Sequence, residues 1–159
     1  MLKTIKHRGP DGSDVFLSEE IALGFNRLSF LDLEGGMQPV WNEEKTIVMV
    51  CNGEIFNFAE LRIELLEKGH CFRTKTDVEV ILHLYEEYGA DFPQYLNGQF
   101  AIALYDCQQK LLFLVRDQTG ISPLFYTITD GRVIFASEIK AILEYPGIER
   151  KLNLKAVDQ

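Results

Sequence analysis

TIVMVCNGEIFNFAEL, residues 46–61, is the stretch whose reading decides the fold. An Asn-Gly pair between apolar residues ordinarily turns a β-hairpin. Here the residues after Asn52-Gly53 do not alternate as a returning strand would. Asn57 with Glu60 three places on reads as a helix start, Leu61, Leu65 and Leu66 follow at helical spacing, and Gly69 closes the run. The order is therefore strand, Asn-Gly-Glu, helix, with the helix over residues 57–68. The Asn-Gly pair then needs a purpose other than a hairpin.

Working outward, a second helix is expected over residues 77–88. Thr76 and Glu79 form a capping-box pattern at its start, Val80, Ile81, Leu84, Tyr85 and Tyr88 make its apolar face, and Gly89 ends it. A third, short helix starts near Ser137 and stops at Pro146, with Ile139, Ile142 and Leu143 inward. DVFLS, IALGFNRLSF, TIVMVC, HCFRT, QFAIALYD, KLLFLVRD, PLFYTIT and RVIFAS are short and rich in β-branched or aromatic residues, so they read as strands. YDCQQKLLFL and TITDGRVIF look like antiparallel hairpins, the second turning at Asp130-Gly131. MLKTIKHRGPDG reads as the last turn of a helix running into a Gly-Pro loop. Hairpin-linked strands with helices in two blocks predict an α+β protein with helices stacked on antiparallel sheets.

The 159 residues suffice for one domain with a substantial core. A net charge of -8 argues against nucleic acid as a partner, and no apolar run approaches the roughly 20 residues of a membrane span. No secretory signal is visible. Cys51, Cys71 and Cys107 form no CxxC pair and no metal spacing, so buried free thiols in a reducing cytoplasm are expected, and no metal site.

Three positions have the chemistry of a ligand site. Gly53 lets the backbone approach a ligand, and its N–H with the Asn52 side-chain amide could form an oxyanion hole for acyl transfer; a plain Asn-Gly turn is the alternative. Arg27, after the apolar residues Ile21, Leu23 and Phe25, could grip a carboxylate bidentately or form a surface salt bridge. Asp77 could hold an ammonium group or act as a first-turn acid favouring a helix N-terminus. One cation, one anion and two amide donors would suit an amino acid whose side-chain carbonyl reacts.

HRGPDG (7–12), NRLSFLDL (26–33), GGMQP (35–39), NGEIFNF (52–58), RTKTDVEVIL (73–82), GQFAIALYD (98–106), RDQTGISPLFY (116–126) and FASEIKAIL (135–143) occur in this order. Together they resemble the class II glutamine amidotransferase domain of glutamine-hydrolysing asparagine synthetases. NGEI and RD..G..PL are shared by several class II amidotransferases; HRGPDG with ASEIKA is more specific to the asparagine synthetase branch.

The resemblance implies an N-terminal nucleophile (Ntn) hydrolase fold, a four-layer αββα sandwich of two antiparallel sheets. It implies that Arg27 binds the α-carboxylate of L-glutamine with main-chain groups of Leu28 and Ser29. Asp77, with Glu54 nearby, would take the α-ammonium group, and Asn52 and Gly53 would form the oxyanion hole, the pair turning the chain so that its donors face the amide. Arg8 would lie beside the nucleophile. In the family that nucleophile is a cysteine at the mature N-terminus. This chain opens with Met1-Leu2, which implies an N-terminally truncated domain that lacks the first strand and is inactive alone. Phe25-Asn26 stands where basic residues often precede the arginine, Phe56 where tyrosine is usual, and Ser122 where a basic residue is usual. The same resemblance implies a cytoplasmic domain over residues 1–150, with residues 151–159 leading into a synthetase domain that would use ATP and Mg²⁺ to amidate aspartate; no cofactor is expected in this domain itself. A homodimer is expected from an uncovered sheet edge. A different amidotransferase branch, acting on a sugar or another carboxylate, and a non-catalytic binding or assembly domain of the same fold are the alternatives.

Overall fold

The structure, a computed structural model, describes residues 1–29, 32 and 35–151. Residues 152–159, most of the expected linker, lie outside the described residues, as does the end of the strand expected to reach Phe30. In chain order the strands are β1 Gly12–Leu17, β2 Ala22–Arg27, β3 Val40–Trp41, β4 Ile47–Ile55, β5 Gly98–Asp106, β6 Leu111–Arg116, β7 Phe125–Thr129 and β8 Arg132–Ala136. The α-helices are α1 Phe58–Glu67, α2 Val80–Tyr88 and α3 Ile139–Ile142, and 3₁₀ segments occupy Leu2–Arg8 and Gly89–Tyr95.

A four-stranded antiparallel sheet, β3-β4-β5-β6, forms the middle. Successive side chains of a strand point to opposite faces, and β4 and β5 are apolar on both. Ile47, Met49, Cys51 and Ile55 of β4, with Phe100, Ile102 and Leu104 of β5, pack under α1 and α2. Val48, Ala103 and Tyr105 face the other way, onto Leu23 of β2, Phe16 of β1 and Phe135 of β8. The second strand layer consists of the hairpins β1-β2 and β7-β8, which are separate sheets. The 3₁₀ segment Leu2–Arg8 and α3 contact β2 and β8 and each other. Four layers result, helix, sheet, sheet, helix. All six residues from Val80 to Tyr85 are buried, so α2 is a core helix rather than an amphipathic surface one.

Several expectations are corrected. Asn52-Gly53 does not turn the chain. Strand β4 runs through it to Ile55, and the whole strand from Ile47 to Ile55 pairs with β5; the turn comes at Phe56 and Asn57. Asn57 makes no side-chain cap on α1. Its Oδ1 accepts from Asn97 N–H (3.0 Å) and its Nδ2 donates to Tyr95 O (2.9 Å), tying the end of β4 to the approach to β5. HCFRT is extended but pairs with no strand, because carboxylates take its donors: Cys71 N–H donates to Glu43 Oε1 (2.8 Å), and the N–H groups of Arg73 and Thr74 donate to Glu79 (both 2.7 Å). Occupied in this way, Glu79 closes no capping box with Thr76, and α2 begins at Val80. Ile139 is exposed rather than inward. Only Cys51 is a fully buried thiol; Cys71 is exposed and Cys107 half-buried, since Phe72 rather than Cys71 turns inward. The chain start is helical as expected, of 3₁₀ type over Leu2–Arg8, and runs into Gly9.

The hairpin expectations hold. β5-β6 and β7-β8 are antiparallel pairs, and Asp130 and Gly131 have φ of 48° and 72°, the left-handed pair that a two-residue turn requires. RDQTG forms a loop organised by Asp117, whose carboxylate accepts from Thr119 Oγ1 (2.6 Å) and from the N–H groups of Ile121, Ser122 and Phe100 (3.2 Å each). The Thr119 hydroxyl and these N–H groups hold its pKa well below the ordinary carboxylate range, burial opposing them.

Two consequences are measurable. At Gly53, φ is 155° and an added Cβ would sit 2.0 Å from Gln99 O and 2.6 Å from Phe100 Cα, both backbone atoms. Gly53→Ala is expected to cost about 3 kcal/mol or more in chemical denaturation, the scale of enforced backbone strain and clash. Because the folded pKa of Asp117 lies below its unfolded value of about 3.9, its contribution is full above that value and is lost as pH falls below it. Asp117→Asn is expected to lower the melting temperature at neutral pH and to flatten the acid limb of the stability profile.

Candidate functional site

The site is built on the end of β4. Along an antiparallel strand the backbone groups of alternate residues face opposite neighbours. Phe56 N–H donates to Asn97 O on the β5 side (2.8 Å), whereas Met49 pairs with Val40 of β3 on the other edge. Past the two residues of β3, side chains take over that edge. Cys51 N–H donates to Gln38 Oε1 (2.6 Å), and Gln38 Nε2 donates back to Cys51 O (3.0 Å). Ile55 N–H donates to Asp77 Oδ2 (2.7 Å). The backbone N–H of Gly53 lies between these two on the same edge, directed outward between Gln38 and Asp77. The Asn52 side chain faces the second strand layer, on the side that Val50 occupies.

Asp77 is buried, 6% exposed. Burial raises its pKa and the nearby Glu54 carboxylate adds to that; the N–H groups of Ile55, Val78 and Asp77 itself oppose it, and the net direction is up. A carboxylate held by amides but lifted by burial and a like charge is poised to accept a cation. Burial, with the Asp77 charge second, also pushes the Cys51 thiol far above its ordinary range.

Arg27, at the end of β2, is equally buried. Its Nη2 donates to Asp32 O. The same Nη2 and Thr76 Cγ2 would each be 2.7 Å from a Cβ at Gly36, so the guanidinium reaches the residue preceding Asp77, and Gly36 has no room for a side chain. The Asp32 carboxylate accepts from Lys75 N–H (2.9 Å) and Gly35 N–H (3.0 Å), which lower its pKa and draw this loop onto residue 75. Arg27 and Asp77 thus converge on one end of the molecule, beside Gly53. Leu28 is exposed, Glu54 lies on the exposed rim, and Ser29 N–H donates to Asp11 Oδ2 (2.8 Å) rather than pointing freely into the site.

Asn52, Asn26 and Arg8 also line a cleft of about 960 Å³ between the two strand layers. Arg8 is held there by Glu138 (3.6 Å), which also contacts His7 (2.9 Å) and Lys140 (2.9 Å). HRGPDG and ASEIKA, 131 residues apart at His7 and Glu138, meet through this one carboxylate. The roles of Gln38 and Glu138 escaped the sequence reading. Both stand inside quoted motifs, but a side chain standing in for a strand and a carboxylate bridging two loops leave no periodic signature.

The chain matches the glutamine amidotransferase domain family over residues 1–159. It is 45% identical over 155 residues to asparagine synthetase [glutamine-hydrolyzing] 2 of Bacillus subtilis (strain 168), covering 98% of this chain and 20% of that protein. It is 42% identical over 155 residues to asparagine synthetase [glutamine-hydrolyzing] 3 of the same organism (96% and 25%), and 45% identical over 141 residues to asparagine synthetase [glutamine-hydrolyzing] of Zea mays (88% and 24%). The chain therefore spans about a fifth to a quarter of the length of these curated relatives. Among solved structures it resembles glutamine phosphoribosylpyrophosphate amidotransferase from B. subtilis complexed with ADP and GMP, with a TM-score of 0.70 at 20% identity over 89% of this chain and 38% of that one. That likeness is one of fold, and it agrees with the layered α+β sandwich of the Ntn hydrolase type. The chain belongs to the glutamine amidotransferase domain family, among whose members it is similar to the glutamine-hydrolysing asparagine synthetases.

Proposed function

We propose that this domain binds L-glutamine at the end of β4 and serves as the ammonia-releasing part of an asparagine synthetase. One observation carries the reading: the bond from Ile55 N–H to Asp77 sets a buried carboxylate beside the outward N–H of Gly53, with Arg27 against Thr76. Glutamine needs this spacing, an anion for its ammonium group and a cation for its carboxylate at one end, and amide donors for its carboxamide oxygen at the other. Asn52 Nδ2 and Gly53 N–H are the two donors for the oxyanion that forms when a thiolate attacks the carboxamide carbon. Return to the leaving nitrogen of the proton that the thiol gave up lets the intermediate collapse, breaking the C–N bond, expelling ammonia and leaving a thioester. Water then attacks the thioester, releasing glutamate and restoring the thiol.

Cys51 does not supply that thiolate. Its side chain lies on the helix side of the sheet, away from the Asn52 amide, and burial keeps the thiol protonated. In the family that the chain resembles the nucleophile is an N-terminal cysteine, which none of Cys51, Cys71 and Cys107 is, and on this reading it would act in the cleft beside Arg8 and Asn52. The released ammonia would serve an ATP- and Mg²⁺-dependent amidation of aspartate elsewhere in the parent enzyme. We infer also that the chain pairs with a second copy, because β1, β7 and β8 hold Val15, Leu17, Ile128 and Val133 in the open; light scattering is expected to show a dimer, and a monomer at high concentration would rule this out.

Calorimetry with glutamine tests the site. Asp77→Asn keeps an acceptor for Ile55 N–H and removes the charge, so it is expected to weaken glutamine binding at least ~10-fold, about 1.4 kcal/mol. The folded pKa of Asp77 is raised, so its ionised form costs stability above the unfolded pKa of about 3.9; the unbound variant is expected to melt no lower than the parent chain at neutral pH. Loss of stability with undiminished glutamine binding would show Asp77 to be a structural acid. Ammonia release from glutamine is expected to be absent for residues 1–159 alone.

A further inference from the structure

A second cluster of functional side chains lies apart from the glutamine site. It joins Glu43 from the connection between β3 and β4, His70 from the segment after α1, and His83 and Glu86 from α2. One potential ligand atom from each of Glu43, His70 and His83 lies within 4.8 Å of the others. His83 Nδ1 is 2.9 Å from Glu86 Oε2 and 3.7 Å from Glu43 Oε2, and His70 Nδ1 is 3.4 Å from the same Glu86 oxygen. A tetrahedral site with bonds of about 2.0–2.1 Å has ligand atoms roughly 3.3 Å apart, a value inside that range.

The surrounding contacts orient these atoms inward. His70 Nε2 is 3.1 Å from Glu87 Oε1, and Lys68 Nζ is 3.0 Å from Glu87 Oε2. Asn42 Nδ2 donates to Glu86 Oε1 (2.7 Å), leaving Oε2 toward the imidazoles. Cys71 N–H donates to Glu43 Oε1 (2.8 Å), leaving its Oε2 likewise. A histidine tied through one nitrogen to a carboxylate, with the other nitrogen turned to a ligand, is the outer arrangement typical of metal-binding imidazoles. His70 thus presents Nδ1 to the Glu86 carboxylate while Glu87 holds its Nε2. Glu43, Glu86 and Glu87 bring three carboxylates to the cluster, and the nearby ammonium of Lys68 is shared with a fourth, Glu64 (3.4 Å).

We propose that Glu43, His70, His83 and Glu86 bind a divalent cation of the zinc type. Two imidazole nitrogens select a borderline metal over magnesium or calcium, which take oxygen ligands. The bound ion cross-links three segments that no strand pairing joins, the β3–β4 connection, the chain after α1 and the buried helix α2. The cysteine spacing gave no hint of it, because the ligands are histidines and glutamates brought together by folding.

The test is titration of the chelator-treated 159-residue chain with Co²⁺ and with Zn²⁺. One equivalent of Co²⁺ is expected to give the visible absorption of a four-coordinate site, Zn²⁺ to bleach it, and Zn²⁺ to raise the melting temperature. Glu43→Gln keeps an acceptor for Cys71 N–H, and His70→Gln replaces a side chain at the edge of the cluster, so both are expected to fold by circular dichroism. Each is expected to weaken binding by more than the ~10–100-fold that loss of an outer partner causes, and Glu87→Gln by an amount within that range. Cys71→Ser is expected to bind as the parent does. Absence of both the absorption and the melting shift would show that the cluster holds no metal ion and overturn the proposal. Binding undiminished in Glu43→Gln and His70→Gln, or abolished in Cys71→Ser, would overturn it as well.

Discussion

The ladder between β4 and β5 is the contact on which the rest of the molecule depends. It pairs the whole of β4, Ile47 to Ile55, with the whole of β5, Gly98 to Asp106, and both strands are apolar on both faces. One face collects α1 and α2, the other the hairpins β1-β2 and β7-β8. The ladder continues to the site because glycines stand where the strands come closest. A Cβ at Gly53 would meet Gln99 O at 2.0 Å, and one at Gly98 would meet Glu54 O at 2.3 Å. The glycine that resembles a turn residue is thus what keeps the strand running, and the running strand turns its amide outward beside Asp77.

Around this sheet, buried polar side chains do what regular structure does elsewhere. Gln38 extends the short edge strand β3 by bonding both backbone groups of Cys51. Glu79 gathers the backbone of Arg73 and Thr74, Asp117 gathers the loop after β6, and Glu138 gathers His7, Arg8 and Lys140. Buried polar groups require partners, and Gln38, Glu79 and Asp117 find theirs in backbone amides of neighbouring segments. This is also how a site can be positioned on loops without being loose.

The two acidic residues that matter most at the ligand end behave differently for a physical reason. Asp117 is surrounded by donors, three from its own loop and the Phe100 N–H of β5, so its ionised form is stabilised by folding. Asp77 has fewer donors than burial and Glu54 demand, so its ionised form is disfavoured by folding. The first pattern stabilises the fold; the second is the one that the proposed glutamine site would use.

The sequence by itself determined most of the element types, the two hairpins, the order of strand and helix around residue 52, and the family, because these depend on local periodicity, on turn chemistry at Asp130-Gly131 and on contiguous motifs. It also named Arg27, Asn52, Gly53 and Asp77. The tertiary structure alone decided that Asn52-Gly53 lies within a strand, since that depends on whether β5 offers partners, Ala101 and Phe100, almost fifty residues further along the chain. It decided that HCFRT is not a strand, because carboxylates from distant segments take its donors. It likewise decided the contact of Glu138 with His7 and the meeting of His70 with His83, Glu43 and Glu86. Pairing partners and the convergence of side chains from separate segments are long-range facts, and no window of the chain short enough to have a periodicity contains them.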